Sequence, residues 1–344
     1  MVIFWELTEI MMALLGGSLI ALASIGNLYL LGRITGLSGM VFTVARFKLS
    51  EGAVWKYSFL TGMVSACYAA YLFIGEFITV NDYHYYIFDP NEVSTADLSV
   101  VGWSFGALLV GVGTKLGNGC TSGHGVCGLP RLSIRSLVAV VLFMSSGVGM
   151  ATLLHSYPFL DHPILFSSTY YDWFRLLASW AVGIALAGFV GLTIWKSPKR
   201  TDPVLSFALG LVFGIGLCLS GMCRRSKIVN FLTIKDGWDP SLLFVMGAAV
   251  TINLPAFNWI LRRTECPLLA SAYSVPSKTQ IDLPVVVGPI LFGLGWGLCG
   301  FCPGPGLVNV FIVDHGILFL VFLITGQLAT AALTPSAEVK QEFK

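Results

Sequence analysis

Charge is what this sequence has least of. Only 11% of its 344 residues are Asp, Glu, Lys or Arg, against about 25% in a soluble domain. That scarcity excludes an ordinary soluble enzyme and a disordered chain. A surplus of either sign is missing too. Lys and Arg number 20 and Asp and Glu 18, a net +2, which leaves no electrostatic footprint for nucleic acid. There is no basic leader before the first apolar run, where Glu6 and Glu9 stand instead, so no cleavable signal is expected. The eight cysteines are too sparse for a disulfide scaffold. The Gly-x-Gly pairs follow no strand, which excludes a nucleotide loop.

What is abundant is apolar surface and glycine. Hydrophobic residues make up 56% of the chain, mean hydropathy is +0.80 and glycines number 38, above the usual share of about 7%. These values describe a polytopic membrane protein whose helices pack closely or break. Runs able to cross a bilayer fall near 10–31, 55–79, 99–117, 136–155, 173–195, 204–219, 241–261, 284–299 and 316–334. Four stretches between them, 32–54, 118–135, 220–240 and 300–315, are short, Gly-rich and partly apolar. Irregular backbone survives at membrane depth only when buried in protein or lining a wet cavity. The four are therefore expected to be re-entrant.

These stretches open alike: GRITGLSGMV at 32–41, GVGTKLGNGC at 111–120, GIGLCLSGMC at 214–223 and GLGWGLCGFC at 293–302. The spacing is 79 residues within each pair and 182 between pairs, the mark of an internal duplication. Each repeat reads as span, re-entrant segment, span. Two repeats contain an even number of spans, so the extra one at 173–195 inverts the second half. The expected fold is all-α, with nine transmembrane helices and four re-entrant segments in an inverted-repeat hourglass. The halves are 1–172 and 204–344, joined through 173–203. With that topology, fifteen Lys and Arg fall on the face holding the C-terminus and four (Arg224, Arg225, Lys227 and Lys235) on the other. The positive-inside rule then puts the C-terminus inside and the N-terminus outside. The membrane is a bacterial plasma membrane or an organelle inner membrane.

The second stretch carries Asn118, Cys120, Thr121, Ser122, His124 and Cys127 among alternating glycines. Such backbone turns N–H groups inward and favours anions, and the side chains add neutral donors. The fourth carries Cys299 and Cys302, followed by Pro303 and Pro305, either of which suits a first helical turn. The third carries Met222 and Cys223. Cys120 and Cys302 share the last position of the repeat window. A neutral thiol is a weak donor and soft acceptor, better matched to polarisable sulfur than to hard phosphate. Cys67, Cys218 and Cys266 read as packing or inert thiols. His124 reads as a structural donor or an anion contact. Arg224, Arg225 and Lys227 read as a solvated vestibule lining that also attracts anions. The Cys299-x-x-Cys302 pair also fits a redox dithiol. Zinc needs four ligands, and the nearby candidates lie in another repeat. No resident metal, cofactor or enzymatic chemistry is expected.

GNGCTSGHGVCGLPRLSIRSLVA at 117–139 resembles the YeeE/YedE sulfur-transport family. SGMCRRSKIVNFL at 220–232, WDPSLLFVMG at 238–247 and FGLGWGLCGFCPGPGLV at 292–308 resemble the small companion subunit encoded beside such proteins. The chain thus looks like a fusion of the two. The resemblance implies uptake of thiosulfate or a related anion through an hourglass, with central cysteines at Cys120 and Cys302. The family's first-repeat cysteine has no counterpart in Ser38-Gly39-Met40-Val41. Cys223 is one substitute, and Met40 and Met222 are others, as soft thioether contacts. The partners expected are a small sulfur-containing anion and the lipid bilayer, then a soluble sulfur-handling protein or a larger membrane complex. Two alternatives stay open: an accessory subunit with a closed pore, and a membrane thiol oxidoreductase.

Overall fold

In the computed structural model, residues 6–48, 50–80, 83–89, 98–157, 201–313 and 315–334 are described, with Gly188 and Gly191 besides. The described part is mostly helical. The long helices are α1 (Leu7–Leu31), α3 (Val54–Phe73), α4 (Val100–Leu116), α5 (Ile134–Ser156), α6 (Thr201–Leu219), α8 (Ser241–Arg263), α9 (Leu283–Cys299) and α11 (Gly316–Leu333). Short helices α2 (Leu37–Ala45), α7 (Arg225–Leu232) and α10 (Pro303–Val308) lie between them, with a π-helical turn at Thr121–Gly128. Helices therefore occupy eight of the nine expected span positions. The ninth, 173–195, lies outside the described residues apart from Gly188 and Gly191. Five of the eight (α1, α5, α6, α8 and α11) are long and apolar enough to cross a membrane alone. α4 joined to the segment after it across a 45° bend makes a sixth, and α9 is a shorter apolar helix.

The chain departs from expectation after α3. The run 55–79 was expected to stay helical, but α3 stops at Phe73. Gly75 turns the chain at φ 86°. Phe77–Val80 (β1) and Tyr83–Tyr86 (β2) then pair antiparallel, Phe77 opposite Tyr86. Alternating β-branched and aromatic residues favour a strand once a glycine ends the helix.

The main short helical segments of the four Gly-rich stretches are α2, the π-helical turn, α7 and α10, with 3-10 turns besides at Glu51–Ala53, Leu129–Arg131 and Asn309–Phe311. A residue in the left-handed region ends the preceding long helix in every case: Gly32 (φ 69°), Asn118 (φ 58°), Gly221 (φ 70°) and Gly300 (φ 70°). The last three fall at the same window position. Gly32 does not, because it opens its window where the others stand eighth. The first break therefore comes seven residues earlier than the motif spacing implies. Composition aligned the first window; the left-handed cap at Gly32 sets the true register.

The long helices pair in a pattern that exchanging the halves leaves unchanged. α1 packs on α6 and α8, and α3 packs on α6. α4 packs on α9 and α11, and α5 packs on α9. Swapping α1 with α6, α3 with α8, α4 with α9 and α5 with α11 reproduces the same six contacts. Glycine sets how close these pairs come. A Cβ at Gly210 of α6 would collide with the Phe59 carbonyl of α3, and one at Gly113 of α4 with the Phe292 backbone nitrogen of α9. Close backbone approach at small residues is the usual way apolar helices gain packing in lipid. Outward-facing Leu7, Met11, Leu15, Leu22, Leu137 and Val141 are exposed, which suits an acyl-chain environment.

Candidate substrate site

Broken helices leave backbone groups without intrahelical partners. Buried amide side chains take up part of that shortfall. Asn253 of α8 donates from Nδ2 to the Val126 carbonyl at 2.9 Å. Gln327 of α11 donates to the Ser38 carbonyl at 3.1 Å. Asn309, just after α10, donates to the Cys223 carbonyl at 3.0 Å and to that of Pro305 at 2.9 Å. The first and second broken stretches are thus clamped from the opposite half, and the third is held by the fourth within its own half. A polar residue inside an apolar run is a functional pointer by default, and Asn253 and Gln327 were legible on that ground. The sequence reading passed over them.

Three stretches meet at one place. Cys120 caps the π-helical turn and Cys302 caps α10, both with extended backbone and both buried. The Cys302 thiol lies within electrostatic range of Cys120 and beside the Thr121 side chain and the Gly304 backbone. Cys120 Sγ is 3.3 Å from Ser122 Oγ, which accepts from the Leu37 backbone N–H at 3.1 Å. Leu37 opens α2, and its side chain fills the space beside Gly304. The two window-end cysteines, Thr121 and Ser122 are therefore neighbours although they come from different halves.

The other sequence candidates sit around this group rather than in it. His124 bridges Ser136 Oγ (3.1 Å) and the Gly117 carbonyl (3.2 Å), holding the turn against α5. Cys127 donates to the Thr35 carbonyl at 3.6 Å. Cys299 donates to the Trp103 carbonyl at 3.5 Å, and its own carbonyl accepts from Arg225 Nε at 3.1 Å. Met40 is buried on α2 and Met222 is buried at the third break. Asn118 is exposed and supplies the left-handed turn before Cys120.

One expectation is overturned. Arg224, Arg225 and Lys227 do not form a solvated vestibule. Arg225 and Lys227 are 3% and 1% exposed. Lys227 pairs with Glu9 of α1, and Arg224 reaches the same carboxylate at 3.0 Å. Asp89 accepts from the Ser226 backbone N–H at 2.7 Å and lies 3.8 Å from Arg224. The hairpin seals this side: Tyr83 donates to Glu9 at 3.2 Å and Tyr85 to the Leu219 carbonyl at 2.8 Å. Burial, reinforced by the Glu9 charge, pushes the Tyr83 phenol up to about 12. The carboxylates are distant in sequence from the cations, so a charge run read alone looked solvated. A further feature concerns Cys67 and Cys218. Both are buried, as packing thiols would be, and they stand with Cys223 in one buried cluster that the sequence did not indicate. Cys266 is exposed.

Comparison with known proteins supplies the class. A protein of Xylella fastidiosa (strain Temecula1) named a probable transporter is 39% identical over 126 residues, 36% of this chain and 84% of its own length. A second probable transporter from the same strain is 35% identical over 152 residues, 44% of this chain and 99% of its own length. The chain belongs to this family of probable transporters. Its residues 202–341 also match the model of a family of unknown function (DUF6691). A counterpart in Xylella fastidiosa strain 9a5c is 43% identical over 126 residues and 86% of its length. Each of these transporters matches less than half of this chain and most of itself. Apolar helices and transporter relatives together make this an integral membrane protein of a transporter family.

Proposed function

We propose that the chain is a permease for a small sulfur-containing anion, with thiosulfate the best fit, passed between Cys120 and Cys302. The observation that carries this reading is their convergence. Two buried thiols from different halves lie within electrostatic range of each other, flanked by the neutral donors Thr121 and Ser122. Thiols contact polarisable sulfur weakly, so an ion can leave as readily as it enters. The exchange-invariant helix pairing supports two inverted halves with this site at their interface. The excess of Lys and Arg on one face supports an inside C-terminus. The resemblance to the YeeE/YedE family supplies the substrate class.

Radiolabelled thiosulfate uptake by the purified chain in liposomes tests it. Uptake is expected, with competition by unlabelled thiosulfate but not by sulfate. C120A and C302A should each cut it roughly tenfold, the loss of one contact of about 1.4 kcal/mol. Unchanged uptake in both variants would sink the cysteine mechanism.

A second reading has an observation of its own. Cys120 and Cys302 are 1% and 3% exposed, as expected of a transport fold kept as an accessory subunit with its pore shut. Stable co-purification with a membrane complex, and no flux from the isolated chain, would favour it.

A further inference from the structure

The sulfurs of Cys67, Cys218 and Cys223 all lie within 4.8 Å of one another and are buried. We propose that they form a binding site for a soft monovalent metal ion of the copper(I) class. This site is separate in its residues from the Cys120–Cys302 pair, and the proposal does not depend on what the chain transports.

Two local features build the cluster. First, α3 and α6 approach at backbone contact, where glycines of α6 meet the Phe59 and Met63 carbonyls of α3. That contact delivers Cys67, one turn beyond Met63, to the end of α6. Its thiol donates to the Gly214 carbonyl at 3.3 Å. Second, Gly221 takes φ 70° immediately after α6. Its N–H returns to the Cys218 carbonyl at 3.1 Å, and the Met222 N–H to that of Leu217 at 3.1 Å. This fold-back brings Cys223 over Cys218 although five residues separate them. Asn309 then holds the Cys223 carbonyl from the far side. The three sulfurs are thus placed by a helix–helix contact, a left-handed turn and a buried amide, without relying on a flexible loop.

The donor set selects the ion. Among the described residues no histidine or carboxylate joins the three thiols. Structural zinc takes four ligands, and hard cations such as magnesium or calcium take oxygen. Soft sulfur donors select copper(I), which accepts low coordination. With metal–sulfur bonds of about 2.3 Å, sulfurs around a trigonal ion sit about 4 Å apart. The observed cluster needs only a small contraction to reach that spacing. Each sulfur that binds as thiolate releases its proton, so binding acidifies the medium.

The test is titration of the purified chain with copper(I), under reducing conditions, against a chromogenic copper(I) chelator. The wild type is expected to hold one equivalent more than C218S, and C120S/C302S to retain that equivalent. C67S and C223S each remove one ligand and give the same reading if C218S does not fold. X-ray absorption of the one-equivalent wild-type sample is expected to report sulfur-only coordination. Equal stoichiometry in the wild type and all three triad variants would overturn the proposal. So would nitrogen or oxygen ligands around the copper.

Discussion

Gln327 of α11 donates its Nε2–H to the carbonyl of Ser38, 3.1 Å away and 289 residues earlier in the chain. The same nitrogen lies 3.4 Å from Thr114 Oγ1 of α4. One side chain thus ties the first broken stretch to the last long helix. Q327E keeps the shape but offers oxygen where two acceptors face it. A buried polar group robbed of its partner costs about 1–3 kcal/mol, so thermal unfolding in detergent should fall measurably. N253D should act the same way on the Val126 carbonyl.

Close helix contact at glycine gives a sharper comparison. A Cβ at Gly113 would meet the backbone of Gly288 and Phe292, whereas one at Gly149 of α5 meets nothing within 4 Å. Overpacking costs about 1–3 kcal/mol, sometimes more. G113A should lower the unfolding temperature and G149A leave it level or raise it slightly. Equal effects would argue against the α4–α9 contact as described.

The buried ion cluster makes a third prediction. The Lys227 side chain is fully buried, and Glu9 is its only salt-bridge partner among the described residues. E9Q leaves Lys227 and Arg224 without that carboxylate. Breaking a buried pair by removing one partner costs about 3–5 kcal/mol, so folded yield should drop steeply. E9Q/K227M removes both partners of the pair and should recover part of the loss. A double variant no better than E9Q would show that the pair is not the source.

A fourth prediction concerns pH. Burial opposes ionisation of Asp282, but Lys278 and Arg135 outweigh it and hold the carboxyl down at about 2, below its ordinary 3.8. A depressed carboxyl contributes stability that is complete above the ordinary value and is lost as pH falls through about 2. Asp282 is partly exposed, so the contribution is small, about 1 kcal/mol or less. D282N should lower neutral-pH stability by that amount and flatten the acid limb of the profile, because the variant has no such contribution to lose as pH falls. An unaltered acid limb would remove Asp282 from the account.

The sequence by itself determined the class of this protein and the places where its helices break. Scarce charge and long apolar runs leave no soluble solution, and eight described helices lie where those runs predicted. Glycine windows marked all four breaks, because a left-handed cap needs glycine or asparagine. The window cysteines Cys120 and Cys302 were legible as a pair, since duplication aligns them. What no linear reading could supply was which distant groups meet. Glu9 sits in α1 and its cations at the start of α7 and just before it, so their neutralisation appears only when α1 packs beside the third break. The seven-residue shift of the first break was decided by a single backbone turn at Gly32, against the pull of a matching composition. The Cys67–Cys218–Cys223 cluster required both a glycine-mediated helix contact and the fold-back at Gly221. Periodicity and composition report how each segment meets its solvent. Convergence of side chains is set by the packing of segments on one another, and that is a property of the tertiary structure alone.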